Sequence, residues 1–136
     1  MLDSVEEPQL HGIRIGAAPS MDFALSPQHE EIRRTVRDFA ERRIAPVADE
    51  LERKGEFPHD IIREAGELGL LGVPYPEEMG GSGLDTLAYA ITVEELSRVS
   101  GSVGIIVSAH TSLGCNPVWM AAVSYTHLTL PTILRV

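Results

Sequence analysis

Hydrophobic residues recur at helical spacing between residues 32 and 40 of the chain. The spacing i, i+4, i+7, i+8 draws one apolar stripe, made by Ile32, Val36, Phe39 and Ala40. Ser26 precedes the stripe and is a good N-cap residue, and Pro27 suits the first helical position because it has no amide to leave unpaired. The pattern therefore predicts a helix that begins after Ser26 and packs one face on a core.

Two shorter helices are predicted to follow. Pro46 kinks or restarts the chain, because proline lacks an amide donor and disfavours α geometry at the residue before it. A second helix then runs to Gly55, and Pro58 begins a third, which ends at Gly69. The predicted core face of the third helix consists of Ile61, Ile62, Ala65 and Leu68. The apolar residues 70–73 are expected to plug the core as an extended link.

Proline and glycine dominate residues 74–83, which read PYPEEMGGSG. This composition predicts a loop with positive-φ positions. A glycine-rich loop can cradle phosphate, but this spacing matches neither a P-loop nor a dinucleotide fingerprint, and Glu77 and Glu78 would repel an anion. We therefore do not interpret the loop as a phosphate site.

Helical spacing returns at residues 84–99, where Asp85 is the expected cap and one side carries Leu87, Ala90 and Ile91. The next segment, VGIIVSAHTSLG after Ser102, is apolar on all sides and is expected to be buried, with Ser102 as its cap. Its β-branched residues would also suit a strand, but no partner strand is evident. The sequence thus predicts an all-α bundle of about five helices.

Composition narrows the possible functions. Acidic residues outnumber basic ones by 20 to 11, which argues against a nucleic-acid surface, because phosphate binding needs clustered Lys and Arg. Cys115 is the single cysteine, so no intrachain disulfide can form. No apolar run approaches the ~20 residues that span a bilayer, and the first residues resemble neither a signal peptide nor a transit peptide. A cytoplasmic location is expected, with the mitochondrial matrix less favoured.

The two ends differ from the middle. Residues 1–22 show no sustained periodicity and are expected to form a flexible lead-in to a domain at 23–122. Residues 123–136 contain no acidic residue, and the run VSYTHLTLPT resembles the conceptual translation of a sequencing adapter. We expect this tail to be an artefact that follows native sequence ending near Ala122.

Three stretches together resemble the amino-terminal domain of acyl-CoA dehydrogenases, particularly the short-chain branch. They lie between Phe23 and Met120, and the most specific one is LLGVPYPEEMGGSGLD, in which GGSG follows PEE and precedes a helix with Glu94 and Glu95. The other two are FALSPQHEEIRRTVRDFAERRIAPVADELERKGEFP and LAYAITVEELSRVSGSVGIIVSAHTSLGCNPV.

The resemblance implies an enzyme of three domains, of which this chain holds the helical front and is incomplete at its C-terminus. In such enzymes FAD lies chiefly between a central β domain and a carboxy-terminal bundle that carries the catalytic glutamate. The full enzyme, usually a homotetramer, oxidises acyl-CoA to trans-2-enoyl-CoA and passes electrons to an electron-transfer flavoprotein. The resemblance therefore assigns no catalytic, cofactor-binding or metal residue to this chain, which is expected to be inactive alone.

The resemblance also implies a role for the last helices, which wall the acyl end of the substrate cavity in relatives. The matching residues here are Ile106, Val107, His110 and Leu113. Because each buried methylene contributes roughly 0.8 kcal/mol, cavity depth sets chain-length preference. The bulk of Ile106 and Leu113 predicts a short or branched acyl group. His110 is interpreted as a wall residue rather than a catalyst.

Glu94 and Glu95 resemble an acid/base pair, but successive helical side chains point about 100° apart. We interpret one as structural and the other as solvated.

Two alternatives to the proposed enzyme class remain open. The same fold serves acyl-CoA oxidases and flavin monooxygenases, which the downstream sequence would discriminate. A helical interaction domain without chemistry is the other, and it predicts a stable monomer that exposes little apolar surface.

Overall fold

The structure is a computed structural model that describes residues 23–121. The predicted lead-in at 1–22 and the predicted tail at 123–136 lie outside the described residues. All regular elements within the described range are helical, which confirms the predicted fold class. The α-helices are α1 (Pro27–Phe39), α2 (Ala48–Lys54), α3 (His59–Glu67), α4 (Thr86–Val99), α5 (Gly101–Ala109) and α6 (Asn116–Ala121).

Two π-helical turns extend these helices, and a short 3-10 helix lies in the loop. The π turn Ala40–Ile44 continues α1, and the π turn His110–Cys115 joins α5 to α6 without a break. We call the continuous helix Gly101–Ala121 the α5–α6 rod. Counted this way, the described residues form five helical rods. The 3-10 helix covers Glu77–Met79.

The buried positions of the α5–α6 rod show why its π turn is needed. Besides Gly104, they are four residues apart: Val103, Val107, Thr111 and Cys115. In an α-helix four residues turn through about 400°, so three such steps would rotate the stripe by about 120°. A π turn inserts one extra residue, worth about 100°, and brings the stripe back to one side. The rod can therefore bury one continuous line along its length.

Helix starts and stops largely follow the sequence signals. The hydroxyl of Ser26 accepts a hydrogen bond from the amide of His29 and caps α1, and Asp85 caps α4 through the amide of Ala88. The chain turns at Pro46 and restarts as α2, which ends at Gly55 with φ of +65°. Only a residue without Cβ adopts that conformation freely. The caps predicted at Ser26 and Asp85 and the breaks predicted at Pro46 and Gly55 are confirmed.

The core lies between α1, α3, α4 and the α5–α6 rod. α1 packs on α4, and α4 packs on α5. Its fully buried large residues include Val36, Ile44, Leu96, Val103 and Val107. α4 and α5 approach closely because Gly104 faces Ser97, and a Cβ on Gly104 would lie 2.9 Å from the Cβ of Ser97. α4 is thus the central helix, with α1 on one side and α5 on the other.

The link after α3 plugs the core, as predicted, but it is not extended. Leu70, Leu71 and Val73 are almost fully buried. The backbone forms successive turns, in which the amide of Gly72 donates to the carbonyl of Gly69 at 3.1 Å and that of Tyr75 donates to Gly72 at 3.0 Å. Compact turns satisfy the backbone groups locally, whereas an extended buried strand would need a partner.

Several predicted core positions are exposed instead. Leu68 of the predicted α3 face is 51% exposed, since it lies beyond the last helical residue, and Leu87 and Ala90 face outward on α4. The cap of α5 is Ser100, not Ser102, because the hydroxyl of Ser100 accepts from the amide of Val103. The rod is also not buried on all sides, since one side faces away from the bundle.

Candidate functional site

The four predicted wall residues occupy different environments on the α5–α6 rod. Val107 is fully buried in the core of its own bundle. Ile106 is half-buried and packs against that core, while Leu113 is 76% exposed. His110 begins the π turn and is half-buried. Within the described residues the four side chains therefore do not line one shared cavity; Ile106, His110 and Leu113 follow the i, i+4, i+7 spacing, and Val107 supports the rod from inside.

The outer face of the rod is apolar beyond the predicted residues. Ile105 is 64% exposed and Met120 is 78% exposed, and neither was predicted as a site residue. The sequence does carry a signal for this face, because residues 100–121 contain no Asp, Glu, Lys or Arg. It does not show which of the apolar residues face outward, since periodicity is lost when nearly every position is apolar. We call Ile105, Leu113 and Met120 the outer apolar face.

His110 lies beside the single cysteine. Its Nε2 is 3.4 Å from the Sγ of Cys115, one π turn further along. Burial lowers the pKa of His110 and raises the pKa of Cys115, because both charged forms lose solvation. Near neutral pH the pair is therefore an uncharged imidazole and a thiol. This arrangement lacks the thiolate that a cysteine nucleophile needs, and the wall role of His110 stays a prediction.

Two tyrosines anchor the rod to the rest of the domain. The hydroxyl of Tyr75 donates to the carbonyl of Thr111 at 2.8 Å, and that of Tyr89 donates to the carbonyl of Ser108 at 3.1 Å. Burial raises the pKa of Tyr75 to about 12. The ring of Tyr75 also meets Trp119 edge to face, with centroids 6.0 Å apart. The bond from Tyr75 therefore ties the π turn to the loop, and the bond from Tyr89 ties α5 to α4.

Glu95 is a structural carboxylate. Its side chain is 3% exposed and accepts a bidentate pair of hydrogen bonds from the guanidinium of Arg37 of α1, at 2.6 and 2.9 Å. Arg98 contributes a further contact at 3.3 Å, and Arg33 lies 3.8 Å away. The hydrogen bonds from Arg37 hold the pKa of Glu95 below its usual value, so it stays ionised. Glu94 is exposed, which confirms one structural and one solvated carboxylate.

The glycine-rich loop uses its amides internally. Ser82 donates to Gly72, Gly83 to Tyr75 and Leu84 to Val73, at 2.8 to 3.0 Å. Gly81 is required because a Cβ there would collide with the carbonyl of Tyr75. Bonded amides cannot bind a diphosphate as a free loop would. The loop therefore does not fit the phosphates of a flavin dinucleotide.

A cleft of about 390 Å³ lies between α2 and the amino end of α5, and Ile106 reaches its edge. Its lining includes Glu52 and Glu56 and no basic residue, so it does not fit a flavin diphosphate either.

No cluster of three His, Cys, Asp or Glu suited to a metal occurs among residues 23–121. Likewise, none of the helices in this range is long and apolar enough to cross a membrane.

The described residues define an all-α domain whose outer wall is an uncharged, partly exposed apolar rod. The sequence matches the family model for the acyl-CoA dehydrogenase N-terminal domain over residues 26–124. The chain therefore belongs to the acyl-CoA dehydrogenase family and carries its N-terminal domain, which confirms the resemblance seen in the sequence.

Individual relatives agree. The probable acyl-CoA dehydrogenase YngJ of Bacillus subtilis (strain 168) is 44% identical over 112 residues, which cover 80% of this chain and 30% of YngJ. The short-chain-specific acyl-CoA dehydrogenase of Clostridium acetobutylicum is 46% identical over 93 residues, 68% of this chain and 24% of that protein. The structure of butyryl-CoA dehydrogenase from Megasphaera elsdenii superposes with a TM-score of 0.78 at 33% identity. The matched region covers 85% of this chain and 31% of the butyryl-CoA dehydrogenase chain. The chain thus spans less than a third of these relatives.

Proposed function

We propose that this chain serves as the amino-terminal domain of an FAD-dependent acyl-CoA dehydrogenase, which converts acyl-CoA to trans-2-enoyl-CoA. Its own contribution is one apolar wall of the acyl pocket, formed by Ile106, His110 and Leu113 and supported from behind by Val107. The similarity to short-chain and butyryl-CoA dehydrogenases supports the reaction class. The acceptor, an electron-transfer flavoprotein, and assembly as a homotetramer belong to the same proposal.

The outer apolar face, which shares Leu113 with the proposed wall, is the observation that carries this proposal. Ile105, Leu113 and Met120 are exposed on a rod without charged residues. Such a surface costs free energy in water and is typical of a binding or packing site. An acyl chain gains roughly 0.8 kcal/mol for each methylene that it buries against such a wall. Because Ile106 and Leu113 are bulky, the wall favours a short or branched acyl group.

The described domain does not supply the chemistry by itself. Removal of an α-proton needs a base beside the substrate, and Glu95, the buried carboxylate, is instead bound by Arg37 and Arg98. Proton removal and hydride transfer also require both reacting groups to be held together. Neither the loop nor the cleft fits FAD. We therefore propose that residues 23–121 act by shaping the pocket and are inactive alone.

The test is to express the uninterrupted gene that contains this coding sequence and to assay its product with acyl-CoA thioesters of increasing length. We expect bound FAD, oxidation of butyryl-CoA with an artificial electron acceptor, and no oxidation by the isolated chain of 136 residues. Substitution Leu113→Ala should move the preference toward longer chains. The expected gain in kcat/KM is about fourfold for each methylene that the enlarged pocket admits.

Leu68→Ala is the matched control, because Leu68 is also an exposed leucine but directly follows α3 and is not part of the rod. It should leave the chain-length profile unchanged. The proposal fails if the isolated chain oxidises acyl-CoA, or if both variants shift the profile equally. Rapid reaction of the reduced complete enzyme with oxygen would instead support an acyl-CoA oxidase or a flavin monooxygenase.

A further inference from the structure

The cleft between α2 and α5 has apolar walls. It forms where α2, the turn after it and the first turn of α5 meet, and its volume of about 390 Å³ falls in the usual range of binding sites. Its apolar lining consists of Ala48, Leu51, Phe57, Pro58, Val103 and Ile106. The floor is well supported, since Ala48, Pro58 and Val103 are buried. A side chain of moderate size can therefore enter and displace water from a preformed surface.

The charged groups of the cleft are all negative. Glu52 and Glu56 line it, both are exposed, and none of the lining residues is basic. The Nζ of neighbouring Lys54 is bound by Glu50 at 2.7 Å and interacts more weakly with Glu56. The hydroxyl of Ser102, at the amino end of α5, approaches Glu52 at 3.5 Å, so the carboxylate offsets the positive end of this helix. The cleft therefore favours cations and disfavours anions.

An aromatic ring adds a second preference for cations. Phe57 lines the cleft, is half exposed, and stacks at a tilt on the ring of His59 with centroids 4.7 Å apart. The face of an aromatic ring attracts an ammonium or guanidinium group. A purely apolar ligand could pack on the buried apolar residues of the cleft. It would also cover the carboxylates of Glu52 and Glu56 without pairing them, which costs free energy.

We propose that this cleft binds a peptide segment of a partner protein in which one apolar side chain is flanked by lysine or arginine. The apolar side chain fills the space above Val103, and the basic groups pair with Glu52 and Glu56 at the rim. This is the usual arrangement of an apolar anchor within a polar rim. The site goes beyond the proposed acyl wall, because His110 and Leu113 do not line it.

The experiment is an NMR titration of the isotopically labelled chain of 136 residues with the peptide Gly-Ser-Lys-Phe-Arg-Ser-Gly. We expect amide shifts that cluster at the cleft, including those of Gly55 and Ser102. The double variant Glu52→Gln, Glu56→Gln should weaken binding about fivefold, since two rim pairs contribute roughly 1 kcal/mol together. A peptide with glutamate in place of both basic residues should not bind.

The matched control is Glu77→Gln, Glu78→Gln, which removes the same charge from exposed residues of the glycine-rich loop. It should keep the affinity within about twofold, because these residues lie outside the cleft. Equal weakening in both double variants would show attraction to the net charge of −9 and would overturn the proposal. Shifts that cluster on the outer apolar face, or no localised shifts, would also overturn it. All variant positions are exposed, so loss of folding is not expected.

Discussion

The imidazole of His29 lies 3.0 Å from both carboxylate oxygens of Asp85 and thereby joins the amino end of α1 to that of α4. Its other ring nitrogen is 2.8 Å from the hydroxyl of Ser26. Because Ser26 and Asp85 are the caps of these two helices, one side chain connects two capping groups. The connection fixes where α4 begins relative to α1, although 56 residues separate them.

Substitution Asp85→Ala tests this connection. It removes the acceptor for the amide of Ala88 and the partner of His29 together. We expect the thermal midpoint to fall by roughly 5 °C, the usual effect of losing a helix cap in a domain of this size. Asp85→Asn is the control, since asparagine caps almost as well. Its midpoint should stay close to that of the parent chain; an equal loss would show that the charge matters more than the cap.

The ion pair between α1 and α4 should make stability depend on pH. Hydrogen bonds from Arg37 lower the pKa of Glu95 from its ordinary value of 4.5. Its contribution is therefore complete above about pH 5 and is lost as the pH falls through the lowered pKa. Urea unfolding between pH 3 and 7 measures this dependence. We expect Glu95→Gln to lose about 2 kcal/mol at pH 7, the usual contribution of a hydrogen bond to a charged group, and much less at pH 3.

Glu94→Gln is the control for this experiment, because Glu94 is adjacent but exposed. Its unfolding free energy should follow that of the parent chain across the pH range. If Glu95→Gln and the parent retain the same difference at pH 3 and at pH 7, the carboxylate does not act through its charge.

The crossing of α4 and α5 should not tolerate a side chain on Gly104. A Cβ there would lie 2.9 Å from the Cβ and 3.0 Å from the Cα of Ser97, and would clash with its hydroxyl. We expect Gly104→Ala to cost about 1–3 kcal/mol by forcing the helices apart. Gly101→Ala is the same change in the same helix with nothing within 4 Å, and it should be neutral or stabilising. Chemical denaturation of both variants decides the point; equal stabilities would contradict it.

The two sides of the α5–α6 rod should respond differently to truncation. Val107→Ala removes buried methyl groups and should cost about 2 kcal/mol. Leu113→Ala removes more atoms, yet it should change the stability of this chain by less than about 0.5 kcal/mol, because Leu113 is exposed. Thermal unfolding of the two variants provides the comparison. A large loss for Leu113→Ala would mean that this residue packs on the bundle and is not available to a ligand.

Because burial raises the pKa of Tyr75, the stability of the folded chain should fall at high pH. Its pKa of about 12 lies above the ordinary value of 10, so the folded chain keeps a proton that the unfolded chain releases. Stability should therefore decline as the pH rises above about 10. In Tyr75→Phe this decline should be smaller, although the variant also loses the bond to Thr111, about 1 kcal/mol at neutral pH. A decline of the same size in both chains would rule out Tyr75 as its source.

The local elements and the family could be predicted from the amino-acid sequence without coordinates. Some residues act through backbone geometry or through a capping bond within a few residues, so their effects can be predicted without knowledge of the fold. These residues are Ser26 with Pro27, Pro46, Gly55 and Asp85. The apolar stripe of α1 and the loop of residues 74–83 have the same local origin. The family followed from residue motifs, and the boundaries at 22 and 122 remain predictions.

Tertiary structure alone decided which apolar residues are buried and what the charged ones do. Ile105 and Val107 have similar chemistry, yet one faces outward and the other is buried. They lie about 200° apart on α5, and the close approach at Gly104 decides which side of α5 faces α4. Glu94 and Glu95 differ because Arg37 faces only one of them, across 58 residues of sequence. Such outcomes depend on contacts between distant segments, which hydrophobic periodicity does not encode.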